Sequence, residues 1–302
     1  MTNVQMAGMG GEPAPRKSRY PARRVALHAF LIVVAVVWVF PLLYAVYTSF
    51  RLYSETASHG YASLTTSFSL DNYTNAWNQG ELPRYFLNTI VIVVPAVILV
   101  LFLSSMLAFV VSRYSFRANL LLLMLFTALN LLPPQVIITP LYRMYLNLPM
   151  AAPLSDNGLF YDQYFAIALI HISFQMGFCA FVLSNYMKTL PKELNEAAVV
   201  DGASVWTTYW KIILPLTRPA IAALATLEVT FIYNDFFWAL LLMKSGSKMP
   251  ITSALNGLSG QFFINNNLIA AGAVMVALPT IIIYFILQKH FIGGLSLGST
   301  KG

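Results

Sequence analysis

The chain has 302 residues, 58% of them hydrophobic and 10% charged, against about a quarter charged in ordinary soluble domains. That much apolar surface cannot be enclosed in a water-soluble core, so the composition points to an all-α polytopic membrane protein. The formal charge is +7 and the cysteine count is one. The lone Cys179 excludes a disulfide framework and a multi-cysteine metal site. The cations flank apolar runs instead of forming a stripe, which argues against nucleic acid.

In chain order, residues 1–24 read as a disordered basic tail ending in Arg16, Lys17, Arg19, Arg23 and Arg24. The next apolar run is too long for a signal peptide and lacks a small-residue cleavage site, so it reads as an uncleaved anchor. Six runs are long enough to cross a hydrocarbon core, which takes about 20 helical residues. They lie near 25–50, 85–111, 118–138, 164–186, 219–243 and 267–288. Pro41, Pro95 and Pro279 fall inside spans, where neighbouring helices re-satisfy the freed carbonyls. The Pro133–Pro134 pair is expected to kink or break its helix. The domain division is then a tail at 1–24, a first span with its outer loop at 25–84, a five-helix body at 85–290 and a second tail at 291–302.

With the N-terminus inside, the outer loops hold Arg51, Arg84, Arg143, Lys244 and Lys248, and the other 13 of the 18 basic residues lie inside. The positive-inside bias therefore favours cytoplasmic termini. The loops at 51–84, 139–163 and 244–266 face outward as ordered caps or docking surfaces. A helical unit of this size needs a partner to enclose a pathway.

The same orientation places 187–218 in the cytoplasm. Its centre, EAAVVDGASVWTTYWKIILP at 196–215, holds polar groups between two oily runs. Pro191 suits a first helical turn, where a missing N–H costs nothing. Lys192–Val200 has good helix formers. Gly202 stands where a left-handed terminating residue belongs. Ser204 is placed to cap a second short helix, on which Trp206, Trp210 and Ile213 share one face. Pro215 closes the unit before the next span. On physical grounds alone an interfacial anchor helix fits this passage too.

In the predicted fifth span Glu228 and Asp235 are seven apart and are expected on one helical face. In the fourth, His171 and Gln175 are four apart. Charged groups at membrane depth face a partner or a water-filled path. A pathway lining, to which Asn234 would also belong, and a structural network between packed helices are both open for these residues. Cys179 reads as packing. His28, His59 and His290 read as surface or interface residues. No Walker-type phosphate loop is present, and neither a nucleophile–base pair nor a metal-ligand spacing stands out.

The spacing Glu196-Ala197-Ala198, Gly202, Ile212, Leu214-Pro215 resembles the EAA-x3-G-x9-I-x-LP signature of the membrane subunits of bacterial ABC importers, and every fixed position matches. Three further features resemble the carbohydrate-importer group, and within it the smaller six-span subunit of the maltose type. Tyr233-Asn234-Asp235-Phe236-Phe237-Trp238 is similar to its W-N-D-F-x-W pattern, with Tyr for the first Trp. Leu190-Pro191-Lys192-Glu193-Leu194 is similar to I-P-x-E-L. The stretch from Gly293-Gly294-Leu295 to Lys301-Gly302 is similar to its G-L-x-x-G-x-x-K-G tail. The likeness covers about 85–302. Gln175-Met176-Gly177-Phe178 departs from the group's N-x-P-F and puts a kink there in question.

The resemblance implies the type I ABC importer permease fold and a non-catalytic subunit in the bacterial cytoplasmic membrane. It implies a homologous second permease, two cytoplasmic ATPase subunits that use ATP and Mg, and an extracellular or periplasmic solute-binding protein. This chain itself would bind no cofactor and no metal. The loop at 187–218 would enter a cleft on an ATPase, with Glu196, Ala197, Ala198, Asp201, Gly202, Ile212, Leu214 and Pro215 as coupling residues. The outer loop Ser245–Phe263, with Gly257 and Gly260, would reach toward the binding protein; a solvated connector is its plain alternative. The substrate implied is a sugar or oligosaccharide, with glycerol phosphate or a polyamine as alternatives. Few basic residues fall in the spans, which favours a neutral solute. A stand-alone secondary transporter would need inverted repeats or an ion relay, for which the Glu228–Asp235 face is the one hint.

Overall fold

The computed structural model describes residues 22–258 and 264–296 of the chain. Most of the first predicted tail and half of the second lie outside these, as do Arg16, Lys17, Arg19, Gly260, Lys301 and the side chain of His290. The chain divides after Ala45 into two units. The first is the apolar body of helix α1 (Ala22–Ser49), unbroken at Pro41.

The second unit begins with the last turn of α1 and continues through α2 (Tyr53–His59), α3 (Asp71–Gln79), α4 (Leu82–Arg113), α5 (Asn119–Leu131), α6 (Pro134–Asn147) and α7 (Tyr164–Thr189). Then come α8 (Glu193–Val200), α9 (Val205–Thr207), a π-helical turn over Thr208–Ile213, α10 (Leu214–Tyr233), α11 (Phe237–Leu242), α12 (Ile251–Ala254) and α13 (Asn266–Ser296). The described residues form no β-strand, only two isolated bridges.

Among the described residues, five helices are long and apolar enough to cross a membrane: Arg23–Ser49, Leu82–Arg113, Tyr164–Thr189, Val205–Tyr233 and Asn266–Ile286. The third predicted span is not one helix. Pro133 has extended ψ of 126° and stands between α5 and α6. At a rise of about 1.5 Å per residue, the 13 residues of α5 reach about 20 Å, short of the roughly 30 Å of a hydrocarbon core. A sixth crossing would need both halves. The fifth span also differs from its expected bounds. It starts upstream of 219, and its helix stops at Tyr233 before resuming at Phe237.

The core is α4 against α7. Along α4 the residues Ala96, Val100, Ser104 and Ala108 stand four apart and are fully buried. On α7, Cys179, Ala180, Leu183 and Ser184 are likewise fully buried. In lipid, where apolar area gives little drive for helix pairing, small residues let backbones approach and gain dispersion contact. Ser104 Oγ donates to the Met176 carbonyl at 3.0 Å across this seam. Gly177 lets α5 approach equally closely. A Cβ there would lie 2.3 Å from the Phe126 carbonyl oxygen. α7 runs through this point without a break, and a glycine contact stands where a kink was in question.

The loops expected to face outward are built and pinned. Arg51, counted from sequence as a loop cation, is fully buried. Its guanidinium donates to the Tyr61 carbonyl at 2.8 Å and to Ser63 Oγ at 2.7 Å. Its own carbonyl accepts from Asn72 Nδ2 at 2.7 Å and Asn267 Nδ2 at 2.9 Å, which joins α3 and α13 to the end of α1. In the next loop Asp162, at φ 65°, accepts from the backbone N–H of Lys244 at 2.9 Å and of Ser245 at 3.0 Å. Lys248 Nζ donates to both carboxylate oxygens of Asp156, at 2.8 and 2.7 Å. That ammonium, followed by the Gln163 amide, pulls the Asp156 carboxyl down to about 2. Asn88 on α4 donates to the carbonyls of Ser247 and Met249 at 2.9 and 3.0 Å. The segment 244–250 is therefore a clasped cap, and a freely solvated connector is ruled out for that part of the loop.

Candidate functional site

The passage at 187–218 folds as a short helix, a left-handed turn and a second helix that never separates from the span. Pro191 lies one residue before the N-cap Lys192, so α8 opens at Glu193. It ends at Asp201, and Gly202 then turns at φ 72° with open space where a side chain would grow. Ser204 Oγ accepts from the Thr207 N–H at 3.1 Å and starts α9. Such a cap stabilises a helix by about 1 kcal/mol.

Beyond Ser204 two expectations fail. Pro215 closes nothing; it stands at the start of α10 directly after the π turn, and the helical run continues from Val205 to Tyr233. The π turn over Thr208–Ile213 inserts extra backbone into the helical register. That rotates Ile213 into the core with no exposed surface. Trp206 and Trp210 stay half-exposed and meet edge to face at 5.6 Å, so the three do not share a face. Ile212, Leu214 and Pro215 are half-buried at the join.

Tyr209, between the two tryptophans, is the residue the sequence reading missed. Its ring is buried, its hydroxyl pairs with Ser105 Oγ of α4 at 2.7 Å, and it packs on Phe109 at 5.4 Å. An aromatic with a hydroxyl between two amphipathic tryptophans was the available signal. Through this contact the π turn is joined to the α4–α7 core.

α8 presents the opposite character. Glu196, Ala197, Asp201 and Gly202 are exposed, and so are Val199 at 71% and Val200 at 86%. Ala198 alone of the motif is buried. Two adjacent valines bare to solvent beside an unpaired carboxylate is a face that asks for a partner. At the root of α8, Arg113 Nη1 donates to the Leu190 carbonyl at 3.2 Å and ties the end of α4 to the end of α7. Between α8 and the end of α4 lies a cleft of about 610 Å³.

The membrane-depth polar residues do not form one line. Glu228 is fully buried, and Cys179 Sγ donates to its Oε1 at 3.1 Å. Cys179 is thus a polar partner as well as packing. Asp235 lies past the end of α10, in the break before α11, so it does not share a helical face with Glu228. Asp235 instead accepts from the N–H groups of Trp238 and Ala239, both at 3.2 Å, and lies 3.5 Å from His171 Nε2. Both side chains of that pair are about nine-tenths buried. Gln175 Oε1 meets Asn130 Nδ2 only at 3.5 Å, while that amide donates to the Phe174 carbonyl at 2.6 Å. Asn234 is exposed and caps its own helix through Thr230. The Cys179–Glu228 bond links α7 to α10, while His171 Nε2 and Glu228 Oε2 have no hydrogen-bond partner among the described residues. The described residues hold no group of three or more His, Cys, Asp or Glu placed to bind a metal.

Residues 100–296 match the family of binding-protein-dependent transport system inner membrane components. The chain is 32% identical over 235 residues to the melibiose/raffinose/stachyose import permease protein MelC of Bacillus subtilis, covering 78% of this chain and 82% of that one. It is 28% identical over 276 residues to the diacetylchitobiose uptake system permease protein NgcG of Streptomyces coelicolor, covering 91% and 88%. In fold it resembles a chain of a bacterial ABC transporter that imports the acidic polysaccharide alginate, with a TM-score of 0.72 at 22% identity over 92% of this chain and all of that one.

Proposed function

The chain belongs to the family of binding-protein-dependent transport system inner membrane components, and on that premise we propose how it works within such a system. It is a membrane-embedded permease subunit that forms half of the pathway for a neutral sugar or oligosaccharide. A second permease supplies the other half, and a solute-binding protein delivers the substrate to the outer caps. Two cytoplasmic ATPase subunits, which use ATP and Mg, drive it through α8. Both termini lie in the cytoplasm, and the chain performs no catalysis.

The observation that supports this most is the construction of α8. It is a two-turn helix with Glu196, Val199 and Val200 bare to solvent, tied at its root by the Arg113 bond to the Leu190 carbonyl and followed, across the Gly202 turn, by the Tyr209 contact with the packed core. A partner that grips α8 moves α10 against α4 without bending a loose loop. The sugar reading rests on relatives that import melibiose, raffinose and stachyose or take up diacetylchitobiose.

Purification of the complete transporter tests this. The chain is expected to bring down an ATPase pair, and hydrolysis is expected to rise when the loaded binding protein is added. Transport by the lone chain would sink the reading. Asp235→Asn should leave substrate preference unchanged and lower stability by about 1.5–3 kcal/mol, the scale of a hydrogen bond to a charged group.

A further inference from the structure

Three residues around the cleft beneath α8 hold buried polar atoms with no partner. Arg113 Nη1 is used by the Leu190 carbonyl, but Nε and Nη2 have no partner among the described residues. Asn195 Oδ1 and Asn119 Oδ1, on α8 and at the start of α5, are also without one. All three residues line the same 610 Å³ cleft. Buried polar groups nearly always find partners, and a native exception calls for an explanation. The two free N–H groups of Arg113 lie along one edge of the guanidinium. That edge is the planar fork that matches the two oxygens of a carboxylate or the oxyanions of a phosphate.

The charges on the cleft wall are Arg113 and Lys192 against Glu196, so it favours an anion. A lipid phosphate would meet the Glu196 carboxylate at the same mouth. A protein surface can offer a base to Glu196 and an acid to Arg113 together. Val199 and Val200 line the same cleft and are bare, so a protein seated on α8 already covers its entrance.

We propose that this cleft receives an acidic side chain of the cytoplasmic ATPase subunit, held bidentately by Arg113 beside the Glu196 contact. The proposal rests on the coupling role given to α8. Because the fork is closed to solvent in this arrangement, the acid reaches it as the grip on α8 parts the cleft wall. Arg113 would then fasten the partner to the end of α4 as well as to α8, so that one movement is delivered to two helices.

The test uses the complete transporter. Arg113→Lys keeps the charge and places an amine at the fork, and a zero-length carbodiimide is expected to join that amine to an aspartate or glutamate of the ATPase. Arg113→Gln is expected to weaken ATPase association about 30-fold or more, the scale of losing one member of a buried charge pair, and to flatten its dependence on salt. Loss of the ATPase from both variants while the permease melts as wild type would also support the proposal. Unchanged association in Arg113→Gln would overturn it, as would an assembled Arg113→Lys complex giving no such bond, or bound phospholipid yielding the cross-link in place of the ATPase. Glu196→Ala separates the two readings. If it uncouples the transporter while the Arg113 variants do not, α8 still docks and only the cleft assignment falls.

Discussion

Glu196→Ala and Gly202→Asp are each expected to reduce substrate-stimulated ATP hydrolysis by about tenfold or more while leaving the permease folded. Glu196 is exposed and makes no hydrogen bond among the described contacts, so its removal should change stability by no more than about 0.5 kcal/mol. Its proposed counterpart on an ATPase would lose a charge-assisted hydrogen bond of about 1.5–3 kcal/mol, which is the tenfold or more expected. Gly202 separates local strain from partner contact. At φ 72° a side chain costs about 1–2 kcal/mol, but nothing among the described residues lies within 4 Å of the Cβ. Any loss beyond that strain must come from a surface the chain itself does not contain. Hydrolysis by reconstituted transporter, with thermal melting of the same preparation as control, checks both. Full stimulation in both variants would remove the coupling role.

Gly177→Val is expected to destabilise the membrane body more than any surface change. The new Cβ would fall 2.3 Å from the Phe126 carbonyl oxygen and 2.7 Å from its carbon, and neither is the yielding end of a side chain. The backbone of α5 must move off α7, and the Asn130 bond to the Phe174 carbonyl must stretch with it. Overpacking of this kind costs about 1–3 kcal/mol, and β-branching adds to it. With each kcal/mol worth about 2–4 °C in a domain of 150–250 residues, melting in detergent should fall by roughly 5–10 °C. Gly177→Ala should fall less. A Gly177→Val chain melting like wild type would show that α5 does not sit against α7.

Short-range chemistry was legible in the sequence. Gly202, Ser204 and the span cores needed only local spacing, and the Pro133–Pro134 break needed only the missing N–H and the restricted residue before proline. The register of the second short helix was not legible, because a π turn changes the angular step and Ile213 leaves the face that a 3.6-residue period gives it. The break at Asn234–Phe236 was hidden by apolar residues on both sides, and with it went the supposed common face of Glu228 and Asp235. The burial of Arg51 was not legible for another reason: its partners at 61, 63, 72 and 267 are brought together only by the fold. Distance in sequence likewise separates Arg113 from Asn195 and conceals their cleft.

The most direct measurement places one thiol at the tip of α8. Cys179 is fully buried, so Val200→Cys gives the accessible cysteine at a residue 86% exposed. In intact cells that thiol should resist a membrane-impermeant reagent added outside. In the assembled transporter it should cross-link to an ATPase subunit, and ATP should change the yield. Labelling from outside, or a thiol that reaches no subunit in the complete assembly, would contradict the account.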